Sequence, residues 1–179
     1  MNQMLVGIDV TIGPENAGAI GIRHRAAQGS GVQDCTIDAT HGYCGLEGGA
    51  GSGGSHANVT VIGGRIGMNM RQTQPAPTLT GCTLIGQTET ALIASSRQTL
   101  CAVGLRVETD TSGPAIVTKK QWGAHHGQLC LIDSQIIWLQ PPDRVKLRGL
   151  GSWRGGHDRG RAFVVPARCA RRERRSSLR

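Results

Sequence analysis

One short unit, apolar then small or polar then apolar, recurs along this chain and limits its fold more than any other feature. Cys35-Thr36-Ile37, Val59-Thr60-Val61, Cys82-Thr83-Leu84, Val103-Gly104-Leu105 and Leu129-Cys130-Leu131 begin 24, 23, 21 and 26 residues apart. A second set runs between them: Ile20-Gly21-Ile22, Cys44-Gly45-Leu46, Ile66-Gly67-Met68, Ala91-Leu92-Ile93 and Ala115-Ile116-Val117. Two columns of such short strands sharing one period cannot bury a face coil by coil, so the coils must stack. Asp34, Asn58 and Gly81 precede the first three units and are residue types that accept the left-handed conformation of a sharp turn. Ala102 and Gln128 break that series, which predicts a different turn in the last two coils.

Stacking in parallel register about 4.8 Å apart gives an all-β fold, a right-handed parallel β-helix of about five coils with inward side chains in ladders. The composition fits a solenoid better than an ordinary globule: among 179 residues there are 27 glycines and only 5 aromatics. Residues 1–140 carry the coils. Residues 5–12 align Ile8-Asp9-Val10 with Cys35-Thr36-Ile37, so the chain opens in mid-coil, and an N-terminal cap is expected to be missing. Residues 1–140 alone are therefore expected to be marginal or oligomeric, through open β-helix ends. There is no run of 18 apolar residues and no basic-then-apolar leader, so neither a membrane span nor a signal peptide is expected.

After residue 140 the pattern stops. Residues 141–179 hold eleven Arg and one Lys against three acids, a net of +9, whereas residues 1–140 hold eight basic and nine acidic residues, a net of −1. The overall charge of +8 thus belongs to an Arg-rich tail, expected to be disordered or irregular, and gives the coils no nucleic-acid-binding character. The tail reads as a basic arm for an anionic surface, a poorly ordered cap, or the shifted-frame end of a longer gene.

The run NAGAIGIRHRAAQGSGVQDCTID, residues 16–38, resembles a coil of the pectate-lyase-type right-handed β-helix superfamily, in particular its branch of exo-β-1,3-glucanase-like glycoside hydrolases. The resemblance covers residues 6 to about 138, with Ala17 where that branch commonly has Pro. It implies a polysaccharide partner, hydrolase or lyase chemistry and an extracellular location for the complete protein, while the mid-coil start leads to the expectation that the chain is a fragment. The Asn-Thr-Asp, Asp-Asp and Gly-His-Gly signatures of polygalacturonase-type hydrolases and the Arg-x-Pro-x-x-Arg of pectate lyases do not occur, so no catalytic residue is carried over.

Hydrolysis of a glycosidic bond uses two carboxyl groups about 5–10 Å apart, and lyase chemistry uses a base with charge stabilisation, often Ca²⁺ on carboxylates. Either needs outward acids on adjacent coils. Parity from Ile37 and Leu46 turns Asp38 and Glu47 outward, and they are the catalytic candidates. Glu47 aligns with Arg23 and Asn69, a ladder that is either sugar-binding or an ordinary ion pair with a polar neighbour; Asp38 aligns with Ile62, Ile85, Arg106 and Ile132. Tyr43 and Trp122 are candidates for stacking on sugar rings. Six cysteines without C-x-x-C spacing suggest no metal site, and Cys35 and Cys82 read as small core residues beyond disulfide reach. His41, His56, His125 and His126 read as solvated corner residues. Gly49, Gly51 and Gly54 match G-x-G-x-x-G, but a strand follows, so residues 47–56 read as a flexible corner and no cofactor is expected. Asn58 in Asn58-Val59-Thr60 reads as a turn residue before a glycosylation site. Two rivals to an enzyme stand: a non-catalytic β-helix that binds glycan or builds a tail-spike-like assembly, and, more weakly, a nucleic-acid binder through the tail.

Overall fold

The computed structural model describes residues 2–49, 51, 53–71, 77–95, 98–118 and 128–139. They form the expected parallel β-helix, and every strand pairing is parallel. The Arg-rich tail and the aromatic candidate Trp122, with His125 and His126, lie outside the described residues. Among the described residues no helix is long and apolar enough to cross a membrane.

The coil has three faces rather than two. On the first stand β1 (Met4–Val6), the start of β4 (Gly31–Asp38), the start of β6 (Ser55–Ile62), β8 (Thr78–Thr80), β11 (Leu100–Val103) and β14 (Leu129–Ile132). On the second stand β2 (Val10–Thr11), the ends of β4 and β6, β9 (Thr83–Ile85), β12 (Arg106–Thr109) and β15 (Gln135–Trp138). The third is β3 (Ile20–Arg23), β5 (Cys44–Glu47), β7 (Ile66–Arg71), β10 (Thr90–Ser95) and β13 (Ile116–Thr118).

One residue of positive φ joins the first face to the second on every rung: Gly7, Asp34 (φ 52°), Asn58 (φ 51°), Gly81, Gly104 and Asp133 (φ 47°). That backbone state bends a strand sharply, and only Gly, Asn and Asp enter it readily. Asn58 Nδ2 also donates to Asp34 Oδ1 at 2.8 Å, so both act as turn residues.

The register corrects the sequence alignment in three places. Leu84 pairs with Val107 and Val107 with Ile136, so Leu105-Arg106-Val107 and Ser134-Gln135-Ile136 continue the Cys82-Thr83-Leu84 column. The turn series is then unbroken, with Gly104 and Asp133 in place, and the last two coils bend as the others do. On the third face Thr90 stands opposite Ile66 and Leu92 opposite Met68, one residue from the alignment of Ala91 with Ile66. Asp38 shares its column with Ile62, Ile85, Glu108 and Ile137, rather than with Arg106 and Ile132. A period-two pattern survives a shift of two residues unchanged, so apolar alternation alone cannot choose between Val103 and Leu105 as the continuation of the Cys82 column.

Inward ladders fill the interior. Leu5, Val32, His56, Leu79, Ala102 and Leu131 rise along the first face, Ile37, Val61, Leu84, Val107 and Ile136 along the second, and Ile22, Leu46, Met68, Leu92 and Ile116 along the third. Each fully buried Val, Leu, Ile or Met contributes roughly 1.5–3 kcal/mol. Gly45 sits where the second and third faces converge, and a Cβ there would lie 2.3 Å from Val61 Cγ1. At the corner after β9, buried Gln87 donates from Nε2 to the carbonyls of Val61, Gly63 and Ile85, the last of which also accepts the Gly63 N–H at 2.8 Å. Within the glycine-rich stretch 47–56, Gly51 N–H donates to Ala27 O at 3.0 Å, and its Cα faces the Gln28 backbone too closely for a side chain.

Candidate functional site

The outward surface of the third face gathers three of the predicted site residues, Arg23, Glu47 and Tyr43, at its two edges. At the strand ends the ladder of Arg23, Glu47 and Asn69 is in register as the alignment requires. Glu47 Oε1 accepts from Arg23 Nε at 3.0 Å and from Arg25 Nη2 at 3.3 Å. Both arginines are more than half exposed, while Glu47 keeps only 14% of its side chain in contact with solvent. The carboxylate is thus covered by two cations. Asn69 is buried, with its Oδ1 unpartnered among the described residues, so it does not belong to the outer surface.

At the opposite edge, one residue before each strand, Tyr43, Arg65 and Glu89 stand on successive rungs. Arg65 Cζ lies 5.4 Å from the centre of the Tyr43 ring. The same guanidinium is hydrogen-bonded to Glu89, which raises its pKa. One face of Tyr43 is therefore occupied by a cation, leaving less ring for stacking on a sugar. Between the two edges Ile20, Tyr43, Cys44, Ile66 and Ile93 form a small apolar cluster separate from the interior core.

Asp38 is not brought to this surface. It ends β4 on the second face, and Thr40 N–H donates to its Oδ1 at 3.0 Å. The hydrogen bonds from the Thr40 side chain and backbone, in that order, hold its carboxyl below the ordinary range. The two acids proposed for catalysis therefore occupy different faces of one coil and do not converge. The same engagement extends to the other strand acids: Asp34 accepts from Asn58, and Glu108 from Arg106 Nε at 2.6 Å.

Two groups escaped the sequence reading. His56 was expected in solvent, yet it is wholly buried on the inward ladder between Val32 and Leu79, where its Nδ1 accepts the Val32 N–H at 3.2 Å. His24 meets it edge-on at 5.6 Å, and both of its ring nitrogens are buried without a partner among the described residues. Burial, and then the neighbouring His24, lower the His56 pKa to about 4, so the ring is neutral at pH 7. The alternation Val32, His56, Leu79 held the signal, because His56 sits two residues before Asn58 as Val32 does before Asp34. Among the described residues no three His, Cys, Asp or Glu side chains gather to hold a metal ion.

The second group is a pair of thiols. Cys101 and Cys130 are register partners on the first face, both half-buried and unbonded, whereas Cys35 and Cys82 are buried core residues as expected. Burial pushes the Cys82 thiol up and makes it inert. No protein-family model matches this chain, and no curated protein or solved structure is found to be similar to it.

Proposed function

We propose that this β-helix is a non-catalytic scaffold that binds an extended polysaccharide on its outer faces. The observation that carries the reading is the use made of acids: among the described residues each of the four carboxylates on strands, Asp34, Asp38, Glu47 and Glu108, is engaged by a turn residue or an arginine. Hydrolysis requires one protonated and one ionised carboxyl flanking the bond, and neither candidate has a second acid beside it on an adjacent coil: the register partners of Glu47 are Arg23 and Asn69, and those of Asp38 are Thr11 and Ile62. Binding needs less. Thr36, Thr60, Thr83, Arg106 and Gln135 stand one per rung along the second face, offering hydroxyl, guanidinium and amide groups at the strand spacing of about 4.8 Å. A linear glycan laid along the stack meets such groups at regular intervals. The likeness of residues 16–38 to pectate-lyase-type coils supports a glycan as partner and an extracellular setting.

The test is to run the full chain through native gels cast with a panel of neutral and acidic β-glucans, pectins and xylans, while assaying the same mixtures for new reducing ends and unsaturated uronates. Retardation by at least one polymer without any product is the expected result, weakened several-fold by Thr60→Val with Thr83→Val. Product release abolished by Glu47→Gln or Asp38→Asn would replace this reading with an enzymatic one.

A further inference from the structure

We propose that Cys101 and Cys130 are a redox site: they form a disulfide that staples the last described rung of the solenoid to the rung before it. The inference is independent of glycan binding and rests on register and exposure. Cys101 in β11 and Cys130 in β14 are direct partners in a parallel ladder, and both are partly exposed to solvent on the outer side of the first face. Direct partners in a sheet lie about 4.8 Å apart at Cα, inside the window of roughly 4.4–6.8 Å that a disulfide spans. Their side chains leave the sheet on the same side, as alternation requires, so the two thiols stand side by side across the ladder. The Cβ atoms must approach by a few tenths of an ångström, since parallel partners are slightly wider apart than disulfides prefer, and such a bond is correspondingly easier to reduce.

The position explains what the bond would do. Among the described residues β14 is paired on one side only, to β11. The coil that leads to it is also the longest of the later ones, for Asp133 stands 29 residues after Gly104, whereas Gly104 stands 23 after Gly81. A long closed loop is where a covalent link removes most disorder from the unfolded chain. None of the other described cysteines can compete, because Cys35, Cys44 and Cys82 are buried.

Oxidation needs a disulfide oxidant, and oxidised glutathione serves. One Cys thiolate attacks a glutathione sulfur and expels one glutathione thiolate. The second Cys thiolate then attacks the mixed disulfide at the protein sulfur and expels the other. Two thiol protons are lost, the Cys101–Cys130 bond forms, and one oxidised glutathione becomes two reduced ones.

The full chain is equilibrated in reduced and oxidised glutathione, its free thiols are blocked with iodoacetamide, and it is digested with trypsin without reduction. The expected product joins residues 98–106 to residues 121–144, about 2 Da lighter than the two separate thiol peptides. The oxidised chain should melt about 5–10 °C above the reduced one, and dithiothreitol should reverse the difference. Cys101→Ser and Cys130→Ser should each abolish both effects. Should either variant fail to fold, the wild-type comparison before and after dithiothreitol decides alone. Recovery of Cys101 and Cys130 as separately blocked or separately glutathionylated peptides, or linked to Cys169 instead, overturns the proposal. A linked pair without any change in melting overturns its stapling role.

Discussion

A single imidazole sets the clearest condition on this fold at the scale of the residue. His56 occupies a ladder position between Val32 and Leu79 and accepts the Val32 N–H only while Nδ1 carries no proton. Its pKa falls from 6.5 in the unfolded chain to about 4 in the fold. Above pH 6.5 both states are neutral at this site and the full stability is present. As the pH drops from 6.5 towards 4 the unfolded chain takes up the proton first, and stability declines by on the order of 3 kcal/mol. Urea unfolding midpoints measured between pH 7.5 and 4.5 should therefore fall with acid. In His56→Leu the fall should be smaller, although its starting stability is lower because Val32 N–H loses its acceptor. An equal pH dependence in both proteins would rule His56 out as the source. Its burial was legible in the alternation of Val32, His56 and Leu79 two residues before the turn positions, but a histidine at a turn-rich position is equally compatible with solvent.

Elements here are defined by bends more than by strands. Gly81 and Gly104 adopt φ values of 60° and 65°, and a Cβ at Gly81 would meet nothing within 4 Å. The constraint at these positions is thus conformational rather than steric. Gly104→Asn should cost less than about 1 kcal/mol, because Asn58 and the two aspartates already hold this conformation elsewhere in the column. Gly104→Val should cost clearly more, about 2 kcal/mol or above, and chemical denaturation of the two variants side by side measures the gap. Equal losses would mean that the left-handed bend is not what selects the residue. The same bends account for the misaligned coils: Val103-Gly104-Leu105 has the right alternation, yet Gly104 is the corner itself and β12 begins after it. Alternation identifies strands in this chain, and the residue of positive φ decides which alternate set faces inward.

As a whole the molecule is a one-dimensional stack, and its stability should vary along the axis. The strand β6 is paired on both sides, to β4 below and to β8 and β9 above, while β1, β2, β14 and β15 pair on one side among the described residues. Native-state hydrogen exchange should therefore show greatest protection in β6 and its third-face neighbour β7, decreasing towards both ends. Uniform protection would indicate instead that all rungs open in one step. The chain's own sequence determined the class of fold, the period near 24, the turn roles of Asp34 and Asn58, and the Arg23–Glu47–Asn69 register, because these depend on residue types repeated at nearly constant spacing. Only the tertiary structure decided that there are three faces, that His24 and His56 meet inside, and that Cys101 lies beside Cys130. The physical reason is common to them: each depends on where a bend falls between repeats of unequal length, where a shift of two residues changes which side chains meet and leaves the alternation intact, and a shift of one turns the other set inward.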